Sequence, residues 1–472
     1  MPQTRLPFMM GLKLVMYPNH HQERVAWKNL NASRFIYNQL LANSWVDSAI
    51  KRNKLDQQYP IPAEYWRYKT TKQGKGTLLK ASQIRPTGLA RIKGNPRYPW
   101  LDDSDLDSDM FTNTEINYKN AWKMFHKVHT VGIPKFKRKS RSVQSYSTSN
   151  HYSSSQVNAK GGLPSLYNGS IHFTADGQHL QLPKLGLVKV KPTQSLPTNA
   201  MIRIATVTIK HHPSGKWFVA LLLKSDKPFN AQLPRANSEV GIDLNTDNFL
   251  TDNNGQTIKN PRYYRTIKKR LAKEQRILSR RYRRAKKEHR SLRNSKNYQK
   301  QKLIVARLHE KVRNQRINFL HQVSTALIKN HDLVVAEDLK SKNMLKNHAL
   351  AMSISDVGWR TLLTLLEYKA PKYGRTFIEI NPAYTTQTCN RCGFRMGTNG
   401  TQKLTLKDTT WIVSKRIMGT NGTQKLTLKD RTWTCPCCDT FHVRDQNAAQ
   451  NIWAKGHLEL TKPLTESSPI YR

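Results

Sequence analysis

Four cysteines fall into two closely spaced pairs near the carboxyl end of the chain. Cys389 and Cys392 form one C-x-x-C motif, and Cys435 and Cys438 form another. Two residues between ligands allow both sulfurs of a pair to face one ion, so two such pairs can surround a zinc ion tetrahedrally. The alternative is two chance pairs of buried or disulfide-bonded cysteines. Because only Cys437 lies outside the pairs, the spacing favours one structural zinc site with Cys437 as a bystander.

A tandem repeat separates the two cysteine pairs. The segment MGTNGTQKLTLKD occurs at Met396–Asp408 and again at Met418–Asp430, an offset of 22 residues. Between Cys392 and Cys435 lie 42 residues, and subtracting one copy leaves 20, which is within the usual spacing of a zinc ribbon. We interpret the insert as a duplicated surface arm, which a ribbon tolerates because lengthening a surface loop costs little closure entropy.

Three acidic residues lie far apart in the chain. Asp243 closes the apolar segment VGID and Glu337 closes VVAE, whereas Asp445 lies in RDQNAAQNI, seven residues after Cys438. Such carboxylates can converge in a ribonuclease-H-type fold, where they hold two divalent cations about 4 Å apart. Magnesium suits this site because it takes oxygen ligands and keeps several waters. The pattern predicts hydrolysis of phosphodiester bonds.

The charge of the chain indicates a polyanionic partner. The formal net charge is +48 and the isoelectric point is near 10.3, so nucleic acid is the leading candidate. Lys259–Arg316 alone holds 23 Lys and Arg against three Glu. A solvated charged helix would explain solubility but not this one-sided charge, so we favour a nucleic-acid channel.

Membrane and secretory classes are not expected from the sequence. No apolar run approaches the roughly 18 residues needed to cross a bilayer, so we expect no membrane partner. Cysteines placed mostly in metal-type pairs suit a reducing cytoplasm.

Periodicity predicts a mixture of strands and helices in the first half of the chain. A strand is predicted at Phe8–Tyr17 and helices at His21–Ile50 and Asn117–Val128. From Ser170 to Leu223, short alternating segments separated by turn signals suggest a small β-barrel.

Three polar segments of this half are predicted to be loops. The aspartates clustered between Asp102 and Asp109 are interpreted as a solvated linker. Val131–Ser142 is a basic, aromatic loop suited to phosphate contact, with a merely solvated face as the alternative. Ser145–Gly162 is rich in Ser, Asn and Gly, so we expect it to be irregular.

Several motifs resemble those of TnpB, the RNA-guided endonuclease of small transposons. They are GIDLN, AEDLKSKNM, SISDVGWRTLLTLLEYKAPKYGR, PAYTTQTCNRCG and HVRDQNAAQNI, and type V CRISPR effectors share this nuclease half. Looser similarity at RFIYNQLL, VGIPKFKRK and LQLPKLGLVKVK extends the resemblance over essentially the whole chain. The sequence departs from the family at Asn245, where Gly is frequent, and in Cys437 and the duplicated arm.

The resemblance implies a role for each candidate site residue. Asp243, Glu337 and Asp445 would be the RuvC-like catalytic acids that bind two Mg²⁺ ions. One structural Zn²⁺ would be held by the four paired cysteines, Cys389, Cys392, Cys435 and Cys438.

The resemblance also implies an α/β multidomain fold. Its parts are a RuvC-like (ribonuclease-H-type) nuclease domain with an inserted zinc ribbon, a β-barrel wedge domain and a helical recognition lobe. The expected boundaries are 1–20 and 131–236 for the wedge barrel, 21–130 for the recognition lobe, 237–386 and 442–456 for the nuclease, 387–441 for the ribbon and 457–472 for a tail.

The implied function is RNA-guided cutting of DNA in a prokaryotic cell. Guide RNA and double-stranded target DNA would be the partners, with the target recognised beside a short motif and the protein associated with the nucleoid when bound to DNA. Two alternatives belong to other classes. One is a transposase that cuts DNA without RNA, and the other is a nucleic-acid-binding protein with an inactive nuclease. The presence of all three acids argues against the second.

Overall fold

The structure is a computed structural model that divides into two compact units, Met1–Phe229 and Asn230–Arg472. Among the residues that it describes, no helix is both long and apolar enough to cross a membrane. The described residues are 6–51, 66–67, 77–78, 88–139, 143–152, 165–192, 195–197, 201–245, 247–339, 358–396 and 430–461.

An antiparallel sheet of seven strands dominates the first unit. The strands of this unit are β1 (Phe8–Tyr17), β2 (Trp66–Arg67), β3 (Thr77–Leu78), β4 (Gln144–Ser149), β5 (His172–Phe173), β6 (His179–Leu182), β7 (Gly186–Pro192), β8 (Ile202–His211) and β9 (Trp217–Ser225). The sheet has the order β4-β8-β9-β1-β7-β6-β5, while β2 and β3 pair separately. Leu12, Leu14 and Met16 of β1 are buried, as the two-residue period of a strand requires.

The two ends of this sheet meet through Asn150, which follows β4. The Asn150 side chain accepts a hydrogen bond from the Ile171 N–H (2.8 Å) and donates one to the Ile171 carbonyl (2.9 Å). The His151 carbonyl accepts from the Ser170 N–H at 2.8 Å. These bonds join the end of β4 to the start of β5, so the sheet curls into the expected barrel.

Strand β4 corrects one prediction from the sequence. Ser145–Gly162 was expected to be irregular, and this is wrong for residues 145–149. These residues pair with β8, and the Ser147 hydroxyl lies 2.9 Å from that of Thr208. Serine and threonine have weak local preference here, so the partner strand decides the conformation.

The aspartate cluster is likewise not a solvated linker. Helices α1 (His20–Lys51) and α2 (Ser108–Lys127) lie in the first unit, with 3₁₀ turns at Gly88–Arg91 and Pro99–Asp102. Lys28 of α1 binds Asp103 at 2.7 Å and Asp105 at 2.6 Å. Buried Asp107 accepts a hydrogen bond from the Asp109 N–H and caps α2. This helix therefore begins nine residues before its predicted start.

The second unit contains a mixed five-stranded sheet. Its strands are β10 (Glu239–Asp243), β11 (Asn248–Asp252), β12 (Thr257–Lys259), β13 (Leu333–Glu337) and β14 (Thr376–Ile380). They lie in the order β12-β11-β10-β13-β14. The first three form an antiparallel meander, and β13 and β14 run parallel to β10 and to each other. This topology is the ribonuclease-H type predicted from the sequence.

Helices cover both faces of this sheet. The described helices of this unit are α3 (Tyr263–Lys287), α4 (Lys296–Asn330), α5 (Trp359–Lys372) and α6 (Arg444–Thr461). The basic segment forms α3 and α4, which pack on each other through Leu271, Val305 and Leu308. The end of α4 and α5 share one core with β10, and α6 packs against the opposite face through Ile452.

The zinc-ribbon region is a short hairpin beside this sheet. Strands β15 (Thr432–Thr434) and β16 (Phe441–Val443) pair antiparallel and lead directly into α6. The repeated segment between 397 and 429, with its duplication, lies outside the described residues.

Candidate active site and metal centre

Two of the predicted acids end neighbouring parallel strands. Asp243 is the last residue of β10 and Glu337 the last of β13, and the pairing of Ile242 with Ala336 aligns the two ends. The carboxyl ends of parallel strands share one edge of a sheet. Both acids are 6% exposed, so this edge holds two buried carboxyl groups.

Helix α6 reaches the same edge because two glycines let it approach the sheet closely. A Cβ on Gly241 would lie 2.4 Å from the Ala449 carbonyl oxygen and 2.6 Å from the Trp453 nitrogen. A Cβ on Gly456 would lie 2.4 Å from a methyl carbon of Val335. Alternation along β10 puts Asp243 on the face of Gly241, which α6 covers. The first turn of α6 carries Asp445.

The pKa of Asp243 depends on its burial and on the charges around it. Burial is the largest cause that raises the pKa of Asp243, and the negative charges of Glu337 and Asp445 raise it further, to about 8. A hydrogen bond from Asn245 and the charge of Arg444 oppose this rise. The structure thus brings the three predicted acids into one electrostatic cluster.

Glu337 is held by a residue that the sequence did not single out. The Thr385 hydroxyl is 2% exposed and donates to Glu337 Oε1 at 2.5 Å. Burial raises the pKa of Glu337, whereas this hydrogen bond and the charge of Lys455 lower it. Thr385 follows β14 and belongs to the PAYTTQTC motif, so its closeness to the cysteine pair was the available signal.

Asp445 makes its contacts with arginines. Its Oδ1 accepts from Nε and Nη2 of Arg444, both at 3.1 Å, and Arg431 Nη1 lies 3.8 Å from its Oδ2. Arg431 also pairs with Asp247. The positive end of α6 adds to the stabilisation of this carboxylate.

The donor set of the three acids fits magnesium, which prefers carboxylate oxygen ligands. Among the described residues, however, only the four cysteines have ligand atoms that all lie within 4.8 Å of one another. At least one pair among the three carboxylates is therefore further apart than that limit. The roles of Asp243, Glu337 and Asp445 as metal ligands therefore stay a prediction.

The four cysteines form a compact tetrad. The sulfurs of Cys389 and Cys438 are 3.7 Å apart, and those of Cys392 and Cys435 are 3.6 Å apart. Zinc–sulfur bonds of about 2.3 Å give a tetrahedral edge of about 3.8 Å, so the cluster could bind zinc. All five thiols are free, which excludes the disulfide alternative, and Cys437 lies outside the tetrad.

The pKa values of the thiols in the tetrad differ from one another. Burial raises the pKa of Cys389 to about 11 and also raises that of Cys435. Burial opposes ionisation of Cys438 too, but hydrogen bonds with Thr440, Cys392 and Cys389 together outweigh it and lower the pKa of Cys438 to about 6. His442, not predicted from the sequence, lies 3.1 Å from the Cys389 sulfur through its Nε2.

Two asparagines of α6 bind the segment that contains Thr385 and Cys389, next to the edge of the sheet where Asp243 and Glu337 lie (the acidic edge). Asn447 donates to the Thr388 carbonyl at 2.8 Å and accepts from the Asn390 N–H at 3.0 Å. Asn451 donates to the Thr385 carbonyl at 2.8 Å. Their spacing of four residues in RDQNAAQNI puts both on one face of a helix, which the sequence alone could have indicated.

Three family models match successive parts of the chain. The "Cas12f1-like, TNB domain" covers residues 359–452, which contain both cysteine pairs and Asp445. The "Probable transposase" model of the OrfB/IS605 type covers 220–348, with Asp243 and Glu337. A "Helix-turn-helix domain" of the same type covers 10–46, where the structure has β1 and a single long helix.

Two individual relatives support the same resemblance. A "Putative RNA-guided DNA endonuclease" of Streptomyces pristinaespiralis is 34% identical over 53% of this chain and 52% of that relative. The "Putative RNA-guided DNA endonuclease InsQ" of Escherichia coli is 30% identical over 48% of this chain and 56% of that relative. The aligned part of the chain thus spans about half the length of these curated relatives.

A solved Cas12f1 chain, from a Cas12f1–sgRNA–target DNA complex, aligns over 94% of this chain and 99% of its own, at 14% identity and a TM-score of 0.29. The family models match the parts of the chain that carry the three acids and the cysteine tetrad. The chain is TnpB-like, and residues 359–452 resemble the TNB domain of Cas12f1-like proteins.

Proposed function

We propose that this protein is an RNA-guided DNA endonuclease that recognises a short target-adjacent motif and pairs guide RNA with the target strand. One RuvC-like site would then hydrolyse the DNA. The observation that carries the proposal is the buried acidic edge, where burial and then the negative charges of Glu337 and Asp445 raise the pKa of Asp243. Isolated structural carboxylates would avoid such mutual repulsion, and functional sites concentrate it.

The residues of the edge divide the work of the proposed reaction. Asp243, Glu337 and Asp445 would hold the catalytic cations, and the Thr385 hydroxyl donates a hydrogen bond to Glu337 that orients its carboxylate. Two magnesium ions, when bound, would activate the attacking water and stabilise the departing 3′ oxygen.

A basic helical face supplies a surface for the nucleic acid. Lys273, Arg276, Arg280 and Arg283 are exposed at spacings of three and four residues along α3, and together line one shallow hollow. Phosphate contacts of this kind give affinity without sequence specificity. In guided nucleases the sequence is instead recognised through base pairing with RNA. The names of the two relatives support this assignment to guided cutting.

The experiment is to sequence the RNA that copurifies with the full chain and then reprogram its variable end. We expect magnesium-dependent cleavage at the DNA site specified by the new guide. Cutting of one fixed site by RNA-free protein, whatever the guide, would instead establish the transposase alternative. Guide-dependent binding without any cleavage would establish the alternative of an inactive nuclease.

A further inference from the structure

An exposed aromatic side chain lies one residue from the group that holds Glu337. Tyr384 is 47% exposed and immediately precedes Thr385. On its other side, the Ala383 carbonyl accepts a hydrogen bond from Lys455 at 2.7 Å. The segment Ala383–Thr385 is therefore fixed on both sides of the tyrosine, one residue from the group that binds Glu337.

The backbone of Tyr384 is in a conformation that a tyrosine rarely adopts. Its φ is +69°, in the left-handed region that favours glycine and asparagine. Its carbonyl accepts from the N–H groups of Gln387 (3.2 Å) and Thr388 (3.1 Å), so a tight turn requires this conformation. The turn would form more readily with glycine, and the presence of a large ring at a strained position indicates a use for the ring.

Arg395 lies beside this ring. Its guanidinium is over the face of the Tyr384 ring. The Arg395 backbone forms a β-bridge with Thr388, so the arginine returns to the turn that carries the tyrosine. An aromatic ring together with an arginine is a combination that holds unpaired bases in proteins that bind single strands.

We propose that Tyr384 and Arg395 form a stacking platform for one base of a single-stranded DNA segment that enters the acidic edge. The inference rests on the proposed function, because it assigns the substrate of that site. Stacking one base beside Glu337 would fix the register of the strand, so that a defined phosphodiester faces the three acids. Tyr384 is thus a positioning residue.

The test measures stacking without cleavage. The Asp243→Asn variant of the full chain is purified together with its RNA. It is then mixed, in magnesium buffer, with single-stranded DNA oligonucleotides that contain 2-aminopurine at successive positions. We expect position-specific quenching of the fluorescence, retained by Tyr384→Phe and lost by Tyr384→Asn. Asparagine tolerates the left-handed backbone but has no ring, so it controls for the turn. Loss of stacking should also weaken oligonucleotide binding by about 5- to 150-fold.

Each outcome decides the inference. Equal quenching by Tyr384→Asn and the parent, or quenching at no position, would overturn the platform and leave the tyrosine as part of the turn. Because the readout needs no hydrolysis, quenching in a chain that never cuts DNA would support the platform while the proposed nuclease fails. The zinc content of each variant shows whether the adjoining cysteine tetrad has stayed folded.

Discussion

At the scale of single residues, the acidic edge is defined by where three carboxylates lie and by what surrounds them. Asp243 and Glu337 are buried at the ends of parallel strands, and Asp445 lies in the first turn of a helix. Residues that are not themselves acidic position these carboxylates. Thr385 donates a hydrogen bond to Glu337, and Gly241 and Gly456 allow α6 to approach the sheet closely.

Replacing any one acid should separate cutting from binding. We expect Asp243→Ala, Glu337→Ala or Asp445→Ala to abolish DNA cleavage, because a missing carboxylate misplaces a cation, while target binding stays nearly intact through Lys and Arg elsewhere. Cleavage and gel-shift assays on the same samples measure both. Asp252→Asn, which keeps the acceptor for its turn, is the matched control. Full cleavage by any alanine variant would remove that residue from the site.

Buried Lys369 should give the protein a distinctive dependence on pH. Burial lowers its pKa from 10.5 to about 8, and its ammonium donates to Ser324, Thr325 and the His321 carbonyl. Between these pH values the unfolded chain holds a proton that the folded chain lacks, so this group makes stability rise with pH from about 8 to 10.5.

Thermal unfolding across that window tests the assignment. The component of stability that rises with pH should disappear in Lys369→Met and persist in Lys329→Met, which alters an exposed position. An identical pH profile in all three proteins would show that Lys369 titrates normally.

At the scale of elements, the packing of α6 on the sheet determines whether Asp445 reaches the other acids. Gly241→Ala should force the helix away, because the new methyl group would meet backbone atoms that cannot rotate aside. We expect a loss of about 1–3 kcal/mol in the free energy of unfolding and a large fall in cleavage. Denaturant unfolding measures the first. Gly11→Ala, with no atom within 4 Å of the new Cβ, should leave both unchanged.

The ribbon is the second element that can be tested on its own. Purified protein should contain about one zinc per chain. Cys389→Ser and Cys435→Ser should lose it and unfold at lower temperature, since zinc binding contributes folding energy, whereas Cys437→Ser should keep it. Metal analysis and thermal unfolding measure both effects. A wild-type protein without zinc would contradict this prediction.

Deleting one repeat unit tests the duplicated arm. Removing Met396–Ile417 puts Met418, the equivalent residue of the second copy, directly after Arg395. We expect the shortened ribbon to retain zinc and cleavage. An inactive but zinc-loaded deletion would mean that the arm has a function of its own.

At the scale of the whole molecule, a net charge of +48 makes nucleic-acid binding strongly salt-dependent. Changing Lys273, Arg276, Arg280 and Arg283 to Gln should reduce the slope of log affinity against log salt by about 0.9 for each phosphate that is no longer neutralised. Fluorescence anisotropy over a salt series measures the slope. Gln275→Ala with Ser279→Ala, on the same face but uncharged, should leave it unchanged. An unaltered slope in the fourfold variant would place the nucleic acid elsewhere.

The sequence by itself determined the elements whose signals are local. The alternation in Phe8–Tyr17 required a strand with those bounds, and the apolar runs ending in Asp243 and Glu337 gave strands of the central sheet. The cysteine spacing identified the tetrad because two ligands within one turn are fixed by covalent geometry. The motifs identified the family, since they preserve residues at fixed spacing.

Only the tertiary structure decided which distant groups meet. Serine-rich β4 became a strand because β8 lies beside it, and the aspartates near α2 became a cap and ion pairs because Lys28 approaches them. The Thr385 hydroxyl binds Glu337, which lies 48 residues away in the chain, and Tyr384 adopts a left-handed backbone in the turn beside it. Contacts of this kind depend on strand order and helix packing, which no local pattern of residues encodes.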